Sequence, residues 1–119
     1  MGNLLKKVMK ENNYFDLEAN MYSHEEWISM TEPKRLNKIF TNILNEVGFT
    51  IVNHMEHNFP IQGYTCIWLL AESHLSIHTF PNKNTCYVQI SSCNEKKLLK
   101  FITKLNNIKE SKKTKTQNT

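Results

Sequence analysis

The sequence predicts an α+β fold: a two-layer α/β sandwich in which an antiparallel sheet carries two helices on one face. Three observations predict it. Apolar residues recur at three- and four-residue spacing in two separate stretches. Before and between those stretches the spacing changes to two. The period-two stretches are joined by connections too short for a parallel crossover, which favours antiparallel pairing. Two amphipathic helices covering one side of such a sheet bury both sets of apolar residues in one core. A chain of 119 residues can build one core of this kind and not two, so 1–119 reads as a single domain.

The elements follow in order. Residues 1–13, "MGNLLKKVMKENN", are polar and lysine-rich and are expected to be a disordered or loosely docked leader. Residues 14–22, "YFDLEANMY", alternate well enough for a first strand, and "SHEEWISMTEP" suits a short helical turn before Pro33. Leu36, Ile39, Phe40, Ile43, Leu44 and Val47 then mark an amphipathic helix, with Thr31 and Pro33 suited to its first turn and Gly48 to its stop. "FTIVNHM" (49–55) reads as a strand and "HNFPIQG" (57–63) as a loop. "YTCIWLL" (64–70), 73–80 and "TCYVQISS" (85–92) read as three further strands, the last two separated by the turn "PNKN". A final helix from about Glu95 carries Leu98, Phe101, Ile102, Leu105 and Ile108 on one side. The tail 109–119 offers nothing to a core and is expected to be disordered. Trp27 and Trp68 are expected in the core.

Composition excludes several classes. The net charge is +4, but the leader holds +2 and the tail +3, leaving the body at −1. With one arginine against fourteen lysines, neither a basic face nor guanidinium readout supports a nucleic-acid partner. No apolar run approaches the roughly 20 residues of a membrane helix. The N-terminus lacks the apolar core of a secretory signal, and Lys6 occupies the position a myristoylation motif gives to Ser or Thr. Cys66, Cys86 and Cys93 form no CxxC and are odd in number, so they read as reduced thiols of a cytoplasmic protein.

One stretch does not fit a plain structural strand. "LLAESHLSIHTFPN" (69–82) alternates, yet it holds Glu72, Ser73, His74, Ser76 and His78. On a regular strand Leu75, Ile77 and Thr79 face the helices, while His74, Ser76, His78 and Phe80 face away. A solvated sheet face explains such a pattern cheaply. A metal site on His74 and His78 does not, because residues four apart on a strand lie ~13 Å apart. His54 and His57 suggest a metal pair, but no further cysteine or carboxylate cluster completes it, so no metal is expected. Ser73 and His74 face opposite sides, which excludes a hydrolase-like pairing between them.

"LLAESHLSIHTFP", followed by a cysteine thirteen residues after Phe80, resembles the small prokaryotic S-adenosylmethionine decarboxylases, pyruvoyl enzymes of polyamine (spermidine) biosynthesis. "HNFPIQGYT" and "EVGFTIV" resemble the segments leading to that family's cleavage site. The resemblance runs without an obvious gap from about Gly48 to Cys93. It implies a zymogen that cuts itself autocatalytically between Glu72 and Ser73. Ser73 would add to the Glu72 carbonyl, and elimination and hydrolysis would leave a covalently bound pyruvoyl group derived from Ser73. That ketone would take the substrate amine as a Schiff base and act as the electron sink for decarboxylation. His78 would assist proton transfer during processing, with Thr65 as a helping hydroxyl, and Cys93 would return a proton to the product. Phe59 and Phe80 would stack on the substrate's adenine and Asn82 would contact its ribose. Ser73 and His78 are five apart, so the strand is expected to break at Ala71–Ser73, by a turn or bulge.

The match departs from the family at two points. The usual "HTWPE" is "HTFPN" here, giving Phe80 and Asn82, and a usual acid in the last strand is Gln89. Asn82 lacks the charge that lets a carboxylate hold two hydroxyls. S-adenosylmethionine is the first substrate, with arginine or ornithine as the alternative, since some relatives use those. A catalytically silent regulatory relative is the reading from another class, and intact Ser73, His78 and Cys93 argue against it. The resemblance also implies a homodimer of cleaved protomers whose open sheet faces meet.

Overall fold

The computed structural model describes residues 20–61 and 63–117, with side chains of the last helix through Lys109. The elements are β1 (Tyr22–Ile28), α1 (Pro33–Val47), β2 (Ile51–Phe59), β3 (Gly63–Leu70), β4 (Ser73–Phe80), β5 (Thr85–Ser92) and α2 (Glu95–Gln117). The strands form one antiparallel sheet in the order β1-β5-β4-β3-β2, and both helices contribute to the core on one face. This is the α+β sandwich the periodicities predict.

α1 forms where the apolar spacing placed it. The Glu32 carboxylate accepts from Arg35 N at 3.2 Å and caps the first turn, and Pro33 sits where its missing N–H costs nothing. Gly48 ends the helix at φ 100°, and the N–H groups of Gly48 and Phe49 both donate to Leu44 O, at 3.1 and 2.9 Å. Leu36, Phe40, Ile43, Leu44 and Val47 face inward. They meet Trp68 of β3, Leu75 and Ile77 of β4, Val88 and Ile90 of β5, and Phe101 and Leu105 of α2. Trp68 is fully buried, and its indole N–H donates to Thr41 Oγ1 at 3.0 Å, so its polar atom is satisfied inside the core. Lys104 pairs with Glu46 at 3.0 Å, and Lys97 donates to Gly48 O at 3.0 Å, tying α2 to α1.

The first strand differs from the sequence reading. β1 is Tyr22–Ile28, so "SHEEWI" is a strand and not a helical turn; of the expected strand 14–22, residues 14–19 lie outside those described. Polar residues on its helix-facing side hid the alternation. Tyr22, His24, Glu26 and Ile28 alternate inward, and the half-buried Glu26 bonds His24 at 3.0 Å and pairs with Lys109. Burial works to raise the Glu26 carboxyl, but Lys109 and His24 outweigh it and hold the group below its ordinary value. Trp27 is also a correction: it is 57% exposed on the open face, not in the core.

Two further boundaries moved. β2 runs to Phe59 instead of ending at 55, because the exposed edge strand needs no apolar alternation to pair with β3 from Ile51↔Leu70 to Phe59↔Gly63. α2 continues to Gln117 through most of the stretch expected to be a disordered tail, since no Gly or Pro after Asn94 stops it. The expected leader, 1–13, lies outside the described residues.

Gly63 starts β3 at φ 114°, and a Cβ there would stand 2.4 Å from Thr79 O and 2.7 Å from Thr79 Oγ1. That approach lets Tyr64 N donate to Thr79 Oγ1 at 2.8 Å. Gly63→Ala combines left-handed strain with a backbone clash and is expected to destabilise the fold by about 2–4 kcal/mol. Urea unfolding of the two proteins measures it; a shift under about 0.5 kcal/mol would mean the strand end relaxes freely.

Candidate active site

β3 and β4 form a hairpin closed by Ala71 and Glu72, with Leu70 opposite Ser73. Glu72 has φ 65°, a left-handed conformation that costs a glutamate roughly 1–2 kcal/mol. Ser73 follows as the first residue of β4, paired with Leu70 on one side and Ser92 on the other. Only 8% exposed, it shares the helix side of the sheet with Leu75 and Ile77. Its Oγ is buried and has no hydrogen-bond partner among the described residues. A buried hydroxyl left unpaired costs about 1–3 kcal/mol, so this atom is held at the expense of stability.

Cys93 follows Ser92, the β5 partner of Ser73, which puts it beside the hairpin turn. Its exposed thiol donates to Glu72 Oε2 at 3.2 Å. The Glu72 carboxylate holds the thiol's proton, so the Cys93 pKa lies above its ordinary value. A Cys93 that keeps its proton near neutrality is an acid and not a nucleophile. Glu72→Gln removes the acceptor charge, lowers the thiol pKa and raises the thiolate fraction, so alkylation by iodoacetamide at one mildly alkaline pH is expected to speed up. The comparison is made in the Ser73→Ala background, where the chain stays whole. Cys66 and Cys86 interfere little, because burial pushes their thiols up to about 11 and about 12. Equal alkylation rates would show that Glu72 does not govern the thiol.

A second group lies on the open face. Thr65 and His78 are register partners, with Thr65 Oγ1 and His78 Nδ1 3.0 Å apart. The His78 ring stacks over Tyr87, its β5 partner, at 6.5 Å between centroids. Trp27 packs on Tyr87 at 5.1 Å and on Phe80 at 5.7 Å, and the Tyr87 hydroxyl donates to Glu25. That carboxylate raises the Tyr87 pKa. Phe59 and Phe80 are each about 40% exposed. They lie with Asn82, in the turn Pro81–Lys83, at the end of the sheet away from Glu72.

The structure therefore brings the sequence-derived residues together in two sets. Glu72, Ser73 and Cys93 meet at one end. Thr65 and His78 meet mid-strand on the open face, with Phe59, Phe80 and Asn82 beyond them. Five residues of strand separate Ser73 from His78, about 17 Å. The break expected at Ala71–Ser73 is present at Ala71–Glu72 but stops one residue short: Ser73 is regularly paired and stays on the face opposite His78. Pairing with Leu70 and Ser92 on its two sides sets Ser73 in that register. Trp27 and Tyr87 were missed as site residues. Tyr87 has a signal in its parity, nine residues after His78 across the turn, whereas Trp27 reaches the face only through the misplaced β1.

A family model described as S-adenosylmethionine decarboxylase matches residues 17–119. An S-adenosylmethionine decarboxylase proenzyme of Prochlorococcus marinus (strain MIT 9313) is 40% identical over 60 residues, which is 50% of this chain and 48% of that one. One of Methanococcus vannielii is 35% identical over 60 residues, 50% of this chain and 49% of the other. The chain spans about half the length of the curated relatives it matches. Among solved structures, the adenosylmethionine decarboxylase of Aquifex aeolicus superposes with a TM-score of 0.57 at 20% identity, covering 72% of this chain and 79% of that one, and it shows the same fold. With the family model matched along nearly all of its length, this chain belongs to the S-adenosylmethionine decarboxylase family.

Proposed function

We propose that the chain is a proenzyme that cuts itself between Glu72 and Ser73 and then decarboxylates S-adenosylmethionine in the cytoplasm, as a step of polyamine biosynthesis. The observation that carries this reading is the Ser73 hydroxyl, buried and unpaired, immediately after a glutamate in a left-handed turn. An Oγ with no competing hydrogen bond is free to add to the carbonyl one residue upstream. Cleavage releases the left-handed conformation of Glu72. The Ser73 oxygen leaves as part of the Glu72 carboxylate in the elimination that follows, and hydrolysis of the resulting dehydroalanine, with release of ammonia, gives a pyruvoyl terminus on fragment 73–119.

A pyruvoyl group at this position supplies the carbonyl that accepts the substrate amine and the electrons released with carbon dioxide. The chain's own residues do the rest. Cys93 keeps its proton near neutrality and delivers it to the α-carbon. Phe59 and Phe80 offer exposed ring faces to an adenine, and Asn82 offers amide hydrogen bonds to the ribose. Thr65 and His78 form a proton-handling pair.

Because those residues lie on the other face from Ser73, one protomer is incomplete. A homodimer with open faces together is favoured by the apolar side chains on that face, Trp27, Met55, Leu69 and Phe80 among them. Free Cys66, Cys86 and Cys93 suit a reducing compartment. The test is release of labelled carbon dioxide from S-adenosylmethionine, arginine and ornithine in parallel. Turnover of S-adenosylmethionine alone supports the assignment. Turnover of arginine or ornithine in its place would move the chain to the alternative substrate.

A further inference from the structure

On the helix-covered side of the β2–β3 edge stands a group of side chains that the proposed reaction does not use. His54 and Glu56 are two apart on β2 and project to the same side. Glu56 is the register partner of Cys66 on β3. One ligand atom each from His54, Glu56 and Cys66 lies within 4.8 Å of the other two. His57, the histidine next in sequence, packs on Phe59 at 4.5 Å, whereas His54 packs on the core residue Trp68 at 5.3 Å. Glu56 is near His54 in sequence, and hairpin register supplies Cys66 as the third member.

Asn37 of α1 occupies the centre of this group. Its amide nitrogen lies 2.8 Å from His54 Nε2, 3.2 Å from Glu56 Oε2, 3.3 Å from the Tyr64 hydroxyl and 4.0 Å from Cys66 Sγ. A carboxamide nitrogen carries two hydrogens and can satisfy two of those four neighbours. His54 Nε2 and Cys66 Sγ are themselves 3.1 Å apart. Nitrogen, oxygen and sulfur ligand atoms thus converge on one point, where a cation can take the place of the Asn37 amide and the thiol proton. The point opens onto a cavity of about 710 Å³ lined by Glu32, Lys34, Asn37, His54, Glu56 and Tyr64, so an ion has a route in.

We infer that His54, Glu56 and Cys66 form a binding site for a zinc-class divalent cation. An imidazole, a carboxylate and a thiol select against magnesium and calcium, which take oxygen ligands. Zinc bonds of about 2.0–2.3 Å place tetrahedral ligand atoms roughly 3.3–3.7 Å apart. The His54–Cys66 separation is already near that value. Asn37 vacates the centre on binding, and its carbonyl oxygen or a water fills the fourth position. Tyr64 donates to Glu56 Oε2 and would orient that carboxylate. The ion would tie the exposed edge strand β2 to β3 at the residue next to Thr65. It is a structural site, separate from the decarboxylation chemistry.

The test uses full-length, metal-free protein titrated with Co²⁺ and followed by absorption, a readout independent of decarboxylase activity. One equivalent is expected to bind with tetrahedral visible bands and a near-ultraviolet thiolate-to-cobalt band, both lost when Zn²⁺ is added. Cys66→Ser is expected to abolish the thiolate band, and His54→Ala and Glu56→Gln to weaken binding by about tenfold or more. His57→Ala should bind as wild type. Glu56 is exposed, so Glu56→Gln reports on the site even if Cys66→Ser fails to fold. A titration without a thiolate band, or wild-type binding by both His54→Ala and Glu56→Gln, overturns the inference.

Discussion

Ser73→Ala is expected to leave a single uncut chain with no decarboxylase activity, and to make that chain more stable than the uncut precursor. The first effect is absolute, because alanine has no oxygen to add to the Glu72 carbonyl and no leaving group for the elimination. The second follows from the Ser73 hydroxyl, which is buried with no partner among the described residues. Replacing it with a methyl group removes that penalty and is expected to add about 1–2 kcal/mol. Few substitutions abolish activity while raising stability, and the combination marks a residue kept for chemistry. Denaturing mass spectrometry and urea unfolding measure the two halves separately. A cleaved Ser73→Ala chain would contradict the role of the hydroxyl. An uncut but destabilised one would mean that Oγ makes a hydrogen bond in solution.

Cys93→Ala is expected to cut itself normally and then turn over substrate roughly 10²–10⁴-fold more slowly. Its thiol is exposed and its one described side-chain contact is to Glu72, so the fold should not change. The loss should fall on kcat and leave KM close to wild type, since the proton is delivered after substrate has bound. A residue that merely braced the hairpin turn would slow cleavage instead. Equal loss in cleavage and turnover would assign Cys93 to processing.

The fold was legible where burial and periodicity agree. α1 shows its inward stripe from Leu36 to Val47 and both of its ends, because Pro33 and Gly48 are local signals. β4 shows its two faces, with Leu75 and Ile77 fully buried under the helices and His74 exposed. Legibility failed where polar side chains occupy inward positions. His24 and Glu26 are half-buried in β1 because they bond each other and Lys109, a residue 83 positions away from Glu26 that local sequence cannot supply. The edge position of β2 likewise removed the alternation that would have extended it to Phe59.

The candidate site was legible in its residue types but not in its placement. The Glu72–Cys93 contact spans 21 residues and depends on the β4–β5 register. Strand parity sets Ser73 and His78 on opposite sides, and the break expected through Ser73 to undo this ends at Glu72, so the two stay on opposite faces. The Asn37–His54–Glu56–Cys66 group was out of reach for the same reason, since its members come from one helix and two strands brought together only by folding.

Self-cleavage is the central claim, and the intact mass of the purified wild-type protein under denaturing, reducing conditions tests it most directly. Two fragments dividing at Glu72–Ser73 are expected, the smaller with the mass of a pyruvoyl terminus in place of serine. A single chain of 119 residues after prolonged incubation would contradict it.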